Sequence, residues 1–122
     1  MRNGEIILNL SNEEKKKLKD LARDAIECAL FGKEQCEIEL SEKLKEKAGA
    51  FVTLKSKGEL RGCIGHISAS MPLSDVIEKM AIESAFHDPR FCALRKDEWK
   101  DIDIEISVIS PMRQIKDIEE IE

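Results

Sequence analysis

The chain has 122 residues, of which 42% are hydrophobic and 37% charged, and a formal net charge of −5. That length holds one domain with a real core and is too short for two, while the charge density describes a well-solvated surface around a folded chain. Four Phe, one Trp and no Tyr leave little for the stacking platforms of single-stranded nucleic-acid binders, and the acidic balance opposes generic phosphate binding.

The first ten residues, MRNGEIILNL, lack the apolar stretch of a signal peptide, and nothing later approaches the run a membrane span needs. A cytoplasmic location is the expectation. Cys28, Cys36, Cys63 and Cys92 form no C-x-x-C pair and are read as reduced thiols. Ser11 followed by Glu14 is a capping box. Leu18, Leu21, Ala22, Ala25, Ile26, Ala29 and Leu30 then recur at helical spacing, which predicts an amphipathic helix ending near Gly32. Cys28 falls on its apolar side, as a packed structural thiol would. Ser41 to Lys47 reads as a short charged helix anchored by Leu44.

Gly49 to Gly65, GAFVTLKSKGELRGCIG, predicts a β-hairpin through a three-residue Ser-Lys-Gly loop. In that register Thr53 faces Arg61 and Phe51 faces Cys63. Val52, Leu54, Leu60 and Ile64 then point to the core, while Phe51, Thr53, Arg61 and Cys63 share the other face. A second main helix follows, with Leu73, Val76, Ile77, Met80, Ala81, Ser84 and Ala85 as its buried stripe and an end near His87, because Pro89 biases Asp88 away from helical geometry. Ile102, Ile104, Ile106 and Val108 alternate with polar neighbours, the pattern of a half-buried strand, whose expected place is beside the hairpin. MRQIKDIEEIE, after Pro111, reads as a charged extension or incipient helix. The expected fold class is α+β: an antiparallel β-sheet with a central hairpin, packed by two main α-helices.

Three chemistries fit the residues around LRGCIG. Cys63, His66, His87 and Cys92 have spacings found in zinc sites, although a helix separates the two halves. Cys63 beside Arg61 has the setting of an activated thiol, and a packed, inert cysteine is the alternative. Arg61, placed on a central strand, needs an anion, for which Glu105 together with Ser107 on a neighbouring strand is the candidate, with Asp88 and Arg90 at the helix exit joining the cluster. Such a cluster is either structural or a recognition site for a small ligand.

GAFVTL (Gly49 to Leu54), LRGCIG (Leu60 to Gly65), DPRF (Asp88 to Phe91) and IEISVISP (Ile104 to Pro111), in that order, resemble the AMMECR domain family, named after a human contiguous-deletion chromosomal region. The resemblance implies an α+β fold with the hexapeptide near a cleft between a larger and a smaller part. It implies no settled activity and leaves any cofactor unknown. Prokaryotic family members occur with Memo-type proteins and radical S-adenosylmethionine enzymes, so one of these is the implied partner, and a nucleic-acid role has also been suggested for the domain. By motif, Leu60 to Gly65 form the site core with Asp88, Pro89, Arg90 and Phe91 beside it, and His66 is not carried over. Family domains normally continue into His-Gly and Leu-Pro-Gln segments that this sequence does not contain. Residues 1–122 are therefore expected to form a single domain, incomplete at its C-terminal side relative to the family.

The combined expectation is a pocket for a small polar ligand or intermediate around Arg61 and Cys63. Cys63 is the candidate catalytic group, and Phe51, Thr53, Arg61, Gly62, Gly65, Asp88, Arg90, Glu105 and Ser107 are the candidate ligand contacts. No metal is assigned. A non-catalytic protein–protein interaction module is the alternative, and RNA binding the third reading.

Overall fold

A computed structural model of the chain describes residues 11–34 and 39–109. The N-terminal decapeptide, Cys36 and the segment after Pro111 lie outside the described residues, and with them the readings made of those parts. The elements are α1 (Asn12–Phe31), α2 (Glu42–Lys45), β1 (Gly49–Ser56), β2 (Glu59–His66), α3 (Leu73–Phe86), a 3-10 helix (Lys96–Asp101) and β3 (Ile102–Ile109). The fold is α+β: a three-stranded antiparallel sheet in the order β2-β1-β3, packed by α1 and α3.

Helix α1 begins at the capping box read from the sequence. Ser11 Oγ accepts the Glu14 N–H at 3.1 Å and Glu14 returns a carboxylate oxygen to the Ser11 N–H at 3.0 Å, so two otherwise unpaired donors are satisfied at once. The second Glu14 oxygen accepts from Ser41 Oγ at 2.9 Å, which ties the start of α1 to the N-cap of α2. The backbone N–H of Ser11 and then the Ser41 hydroxyl hold the Glu14 carboxyl below its usual range. Gly32 ends the helix in the left-handed conformation, its N–H returned to the Cys28 carbonyl, a conformation glycine adopts without the cost a side chain adds.

One face of the sheet is buried under the helices. Val52 and Leu54 of β1 and Ile104 and Val108 of β3 meet Leu18, Ile26, Val76, Ile77 and Met80 in a continuous core. Burial of each large aliphatic side chain contributes about 1.5–3 kcal/mol. Leu44, the apolar anchor of α2, is fully buried in the same core.

The hairpin differs from its expected register. The turn is the two-residue Lys57-Gly58, with both residues at positive φ, the backbone that suits the twist of a tight hairpin. Ser56 therefore faces Glu59 and Lys55 faces Leu60; past a bulge, Leu54 faces Gly62, Thr53 faces Cys63, Val52 faces Ile64 and Phe51 faces Gly65. The extra residue is Arg61, which falls between the Lys55–Leu60 and Leu54–Gly62 pairs. The bulge restores the alternation lost at the shorter turn, so Gly62 and Ile64 face the helices and Cys63 the other side. Leu60, expected in the core, is instead 43% exposed, because ahead of the bulge it shares the face of Lys55. Strand β2 is also an edge of the sheet and β1 its centre, so Arg61 does not lie on a central strand.

Candidate functional site

The hexapeptide is held from three directions. On the helix side, the buried Ser84 hydroxyl of α3 donates to the Val52 carbonyl at 2.8 Å and accepts the Ile64 N–H at 2.9 Å, spanning β1 and β2. A Cβ at position 62 would collide with the Ser84 backbone carbonyl. The first glycine of the motif therefore exists for close approach of helix to strand. A Cβ at position 65 would overlap the Phe51 ring, so the second glycine makes room for the aromatic side chain opposite.

At the outer edge of β2, the carboxylate of Asp88, in the loop after α3, accepts the Cys63 N–H at 3.0 Å and is gripped by Arg90 through Nε at 3.0 Å and Nη2 at 2.7 Å. Hydrogen bonds from the Arg90 side chain, followed by the backbone N–H groups of Arg90 and Cys63, hold the Asp88 carboxyl far below the ordinary carboxylate range against the opposing effect of burial. Arg90 is in turn held above its usual range by the same carboxylate.

Arg61 reaches the loop after α3 and the 3-10 helix. Its Nε and Nη2 bond the two oxygens of Glu98 at 3.1 and 3.0 Å, and Nη2 also donates to the Cys92 carbonyl at 3.0 Å. This is a two-point, charge-assisted pairing, and Arg61 is the leading cause of the lowered pKa of Glu98. The anion for Arg61 is thus Glu98, not the expected Glu105 and Ser107. Phe91 carries both guanidiniums over its ring, Arg61 at 5.8 Å and Arg90 at 5.4 Å from the centroid, within the range of cation–π attraction.

On the helix-free face of the sheet, Cys63 Sγ and Thr53 Oγ1 lie 3.1 Å apart across the ladder, and Glu105 of β3 continues the same cross-strand row. Glu105 pairs with Lys55 at 3.3 Å. Phe51, Gly65 and Ser107 form the adjacent row. Of the expected site residues, Cys63, Thr53, Glu105, Phe51, Gly65 and Ser107 thus gather on one face of the sheet. Asp88 and Arg90 sit at its edge, Arg61 reaches the neighbouring loop, and Gly62 faces the helices. Arg61 and Cys63, two residues apart, have separate partners.

Ser84 and Glu98 were missed as members of the site. Sequence spacing places Ser84 only in a buried stripe, although a serine in an otherwise apolar stripe must find hydrogen bonds. The 3-10 helix was not foreseen. Its residues Glu98 and Trp99 fasten it, one to Arg61 and the other to α1 through Trp99 Nε1 and Glu27 at 2.9 Å, and the chain's single tryptophan was the available signal. The zinc spacing does not assemble: His66 Nε2 meets Ser70 Oγ at 3.1 Å and His87 Nδ1 lies 3.5 Å from Glu83. Among the described residues no group of three or more His, Cys, Asp or Glu side chains is arranged to hold a metal ion. A groove of about 530 Å³ lies elsewhere, between α1 and α3, where Cys28 lines it with Ala25, Ala29 and Ile82.

The AMMECR1 family profile matches residues 19–122. The chain belongs to the AMMECR1 family. A curated relative from Methanothermobacter thermautotrophicus is 41% identical over 104 residues, spanning 84% of this chain and 54% of the relative. One from Nanoarchaeum equitans is 40% identical over 100 residues, spanning 80% and 56%. The crystal structure of the uncharacterized protein PH0010 from Pyrococcus horikoshii superposes with a TM-score of 0.77 at 38% identity, over 84% of this chain and 54% of that one. The chain spans about half the length of these AMMECR1 relatives. Among the described residues, no helix is long and apolar enough to cross a membrane.

Proposed function

We propose that this AMMECR1-family chain supplies one wall of a cytoplasmic ligand-binding cleft, in which the helix-free face around Cys63 and Thr53 receives a small polar ligand or a reactive intermediate. The observation that carries this reading is the Cys63–Thr53 pair, a thiol and a hydroxyl 3.1 Å apart on the side of the sheet away from the core. Arg61 and Arg90, whose charges are taken by Glu98 and Asp88, act as the frame. Recognition on this face then relies on the hydrogen-bonding capacity of Thr53, Ser107 and Glu105 and on the soft sulfur of Cys63. The family resemblance supplies the partner: a Memo-type protein or a radical S-adenosylmethionine enzyme that delivers or consumes the ligand.

The test is a thermal-shift screen of small polar compounds on a chain extended to the relatives' full length, since a ligand that binds only the native state raises its melting temperature with occupancy. A stabilising compound whose effect disappears in Thr53→Val and Cys63→Ala supports the reading. A compound whose effect survives both substitutions binds elsewhere and overturns it.

A second reading, a non-catalytic interaction module, is favoured by the exposure of Asp103, Glu105 and Ser107 on β3, a strand at the edge of the sheet. Under it, charge reversal at Asp103 and Glu105 abolishes capture of a Memo-type partner while no small molecule stabilises the chain.

A further inference from the structure

Asp88 is the most thoroughly engaged carboxylate around the hexapeptide, and its engagement is with the main chain of Cys63. Its side chain is 2% exposed. Oδ2 accepts the Cys63 N–H at 3.0 Å together with Arg90 Nη2 at 2.7 Å, and Oδ1 accepts the Arg90 N–H and Nε, each at 3.0 Å. Arg90 Nη2 also donates to the Cys63 carbonyl at 3.4 Å. Both main-chain groups of Cys63 are thus met by side chains at the outer edge of β2, where an edge strand otherwise offers its N–H and C=O groups to another strand.

We propose that the Asp88–Arg90 pair is a positioning device for Cys63, standing in for a neighbouring strand so that the thiol is held toward Thr53, with two opposite and mutually compensating charges beside it. This rests on the reading of Cys63 as a ligand-facing group. The other charges around Cys63 are already coupled: Arg61 on its own strand to Glu98, and Glu105 of β3, next in the Thr53 row, to Lys55. Removing one member of the Asp88–Arg90 pair therefore leaves a single uncompensated charge near the sulfur. A thiolate is favoured by a nearby cation and disfavoured by a nearby anion.

The experiment follows the rate of iodoacetamide alkylation of each cysteine at neutral pH, resolved by mass spectrometry, in the full chain and in Asp88→Asn and Arg90→Gln. Asparagine keeps an acceptor for the Cys63 N–H and frees the Arg90 charge, and alkylation of Cys63 is expected to become about threefold faster. Arg90→Gln leaves the Asp88 charge uncompensated and is expected to slow it by a similar factor. The rate at Cys28 should stay put in both. Opposed changes support the proposal; no change, or changes in one direction, overturn it. Where Asp88→Asn fails to fold, Arg90→Gln decides alone, because the Arg90 side chain is 56% exposed and glutamine still offers an amide donor to the Asp88 carboxylate: slower labelling of Cys63 supports the device and an unchanged rate overturns it. If Cys63 in the unsubstituted chain labels no faster than Cys28, the ligand-face reading fails, whichever way the variants move.

Discussion

Ser84 places one hydroxyl between two strands, donating to Val52 and accepting from Ile64, at a position 1% exposed. Ser84→Ala removes the bridge without adding bulk and leaves a buried donor and a buried acceptor unpaired. The expected cost is about 2–4 kcal/mol, from about 1–3 kcal/mol for each unsatisfied group with partial relaxation, read as a lower urea midpoint at unchanged slope. A loss under about 0.5 kcal/mol, the size of an ordinary surface substitution, would mean that the strands close without the hydroxyl. Gly62, packed under the carbonyl of that same residue, shows why the motif tolerates nothing larger there: backbone meets backbone, and neither side has a rotamer to change.

Between elements, the loop after α3 does the fastening: Asp88 and Arg90 grip β2, and the carbonyls of Cys92 and Ala93 receive Arg61. The depressed pKa of Asp88 makes part of that fastening pH-dependent. Its folded value lies below the ordinary 3.8, so its contribution is complete above the unfolded value and is lost as pH falls toward the folded one. Unfolding midpoints measured from about pH 5 to about pH 2 should therefore decline more steeply in the unsubstituted chain than in Asp88→Asn. A residual slope is expected in the variant, because Glu14, Glu27 and Glu98 are lowered as well. Parallel curves would remove Asp88 from the account. The helices and the third strand were legible in the sequence because their apolar spacing is dense and their caps and prolines stand where physics requires them. The hairpin register was not: a tight turn at Lys57-Gly58 and a bulge at Arg61 each move the pairing by one residue in the same direction, so Thr53 meets Cys63 instead of Arg61, and because two such slips leave the facing of Cys63 unchanged, side-chain pattern alone does not reveal them. Glu98 was illegible for a different reason, since it reaches Arg61 across 37 residues through a 3-10 helix with no apolar period of its own.

At the scale of the whole molecule, helices cover one side of the sheet and the other shows a narrow polar row around the Cys63 thiol. With a net charge of −5 and Asp103 and Glu105 beside Lys55 on that face, the described residues offer no basic platform for a phosphate backbone there. Single-stranded RNA is expected to give no mobility shift even at low salt, and a salt-sensitive shift would revive the nucleic-acid reading. The most direct test of the ligand face compares the thiols themselves in one folded sample. Under native conditions at neutral pH, Cys63, held beside Thr53 on the helix-free face, should be alkylated several-fold faster than Cys28 in the groove of the helix layer, and Cys63→Ala should leave the melting temperature nearly unchanged. Equal and slow labelling of the two, or a collapse of the fold on replacing Cys63, would show that the thiol is part of the packing and that the face around it is not a binding site.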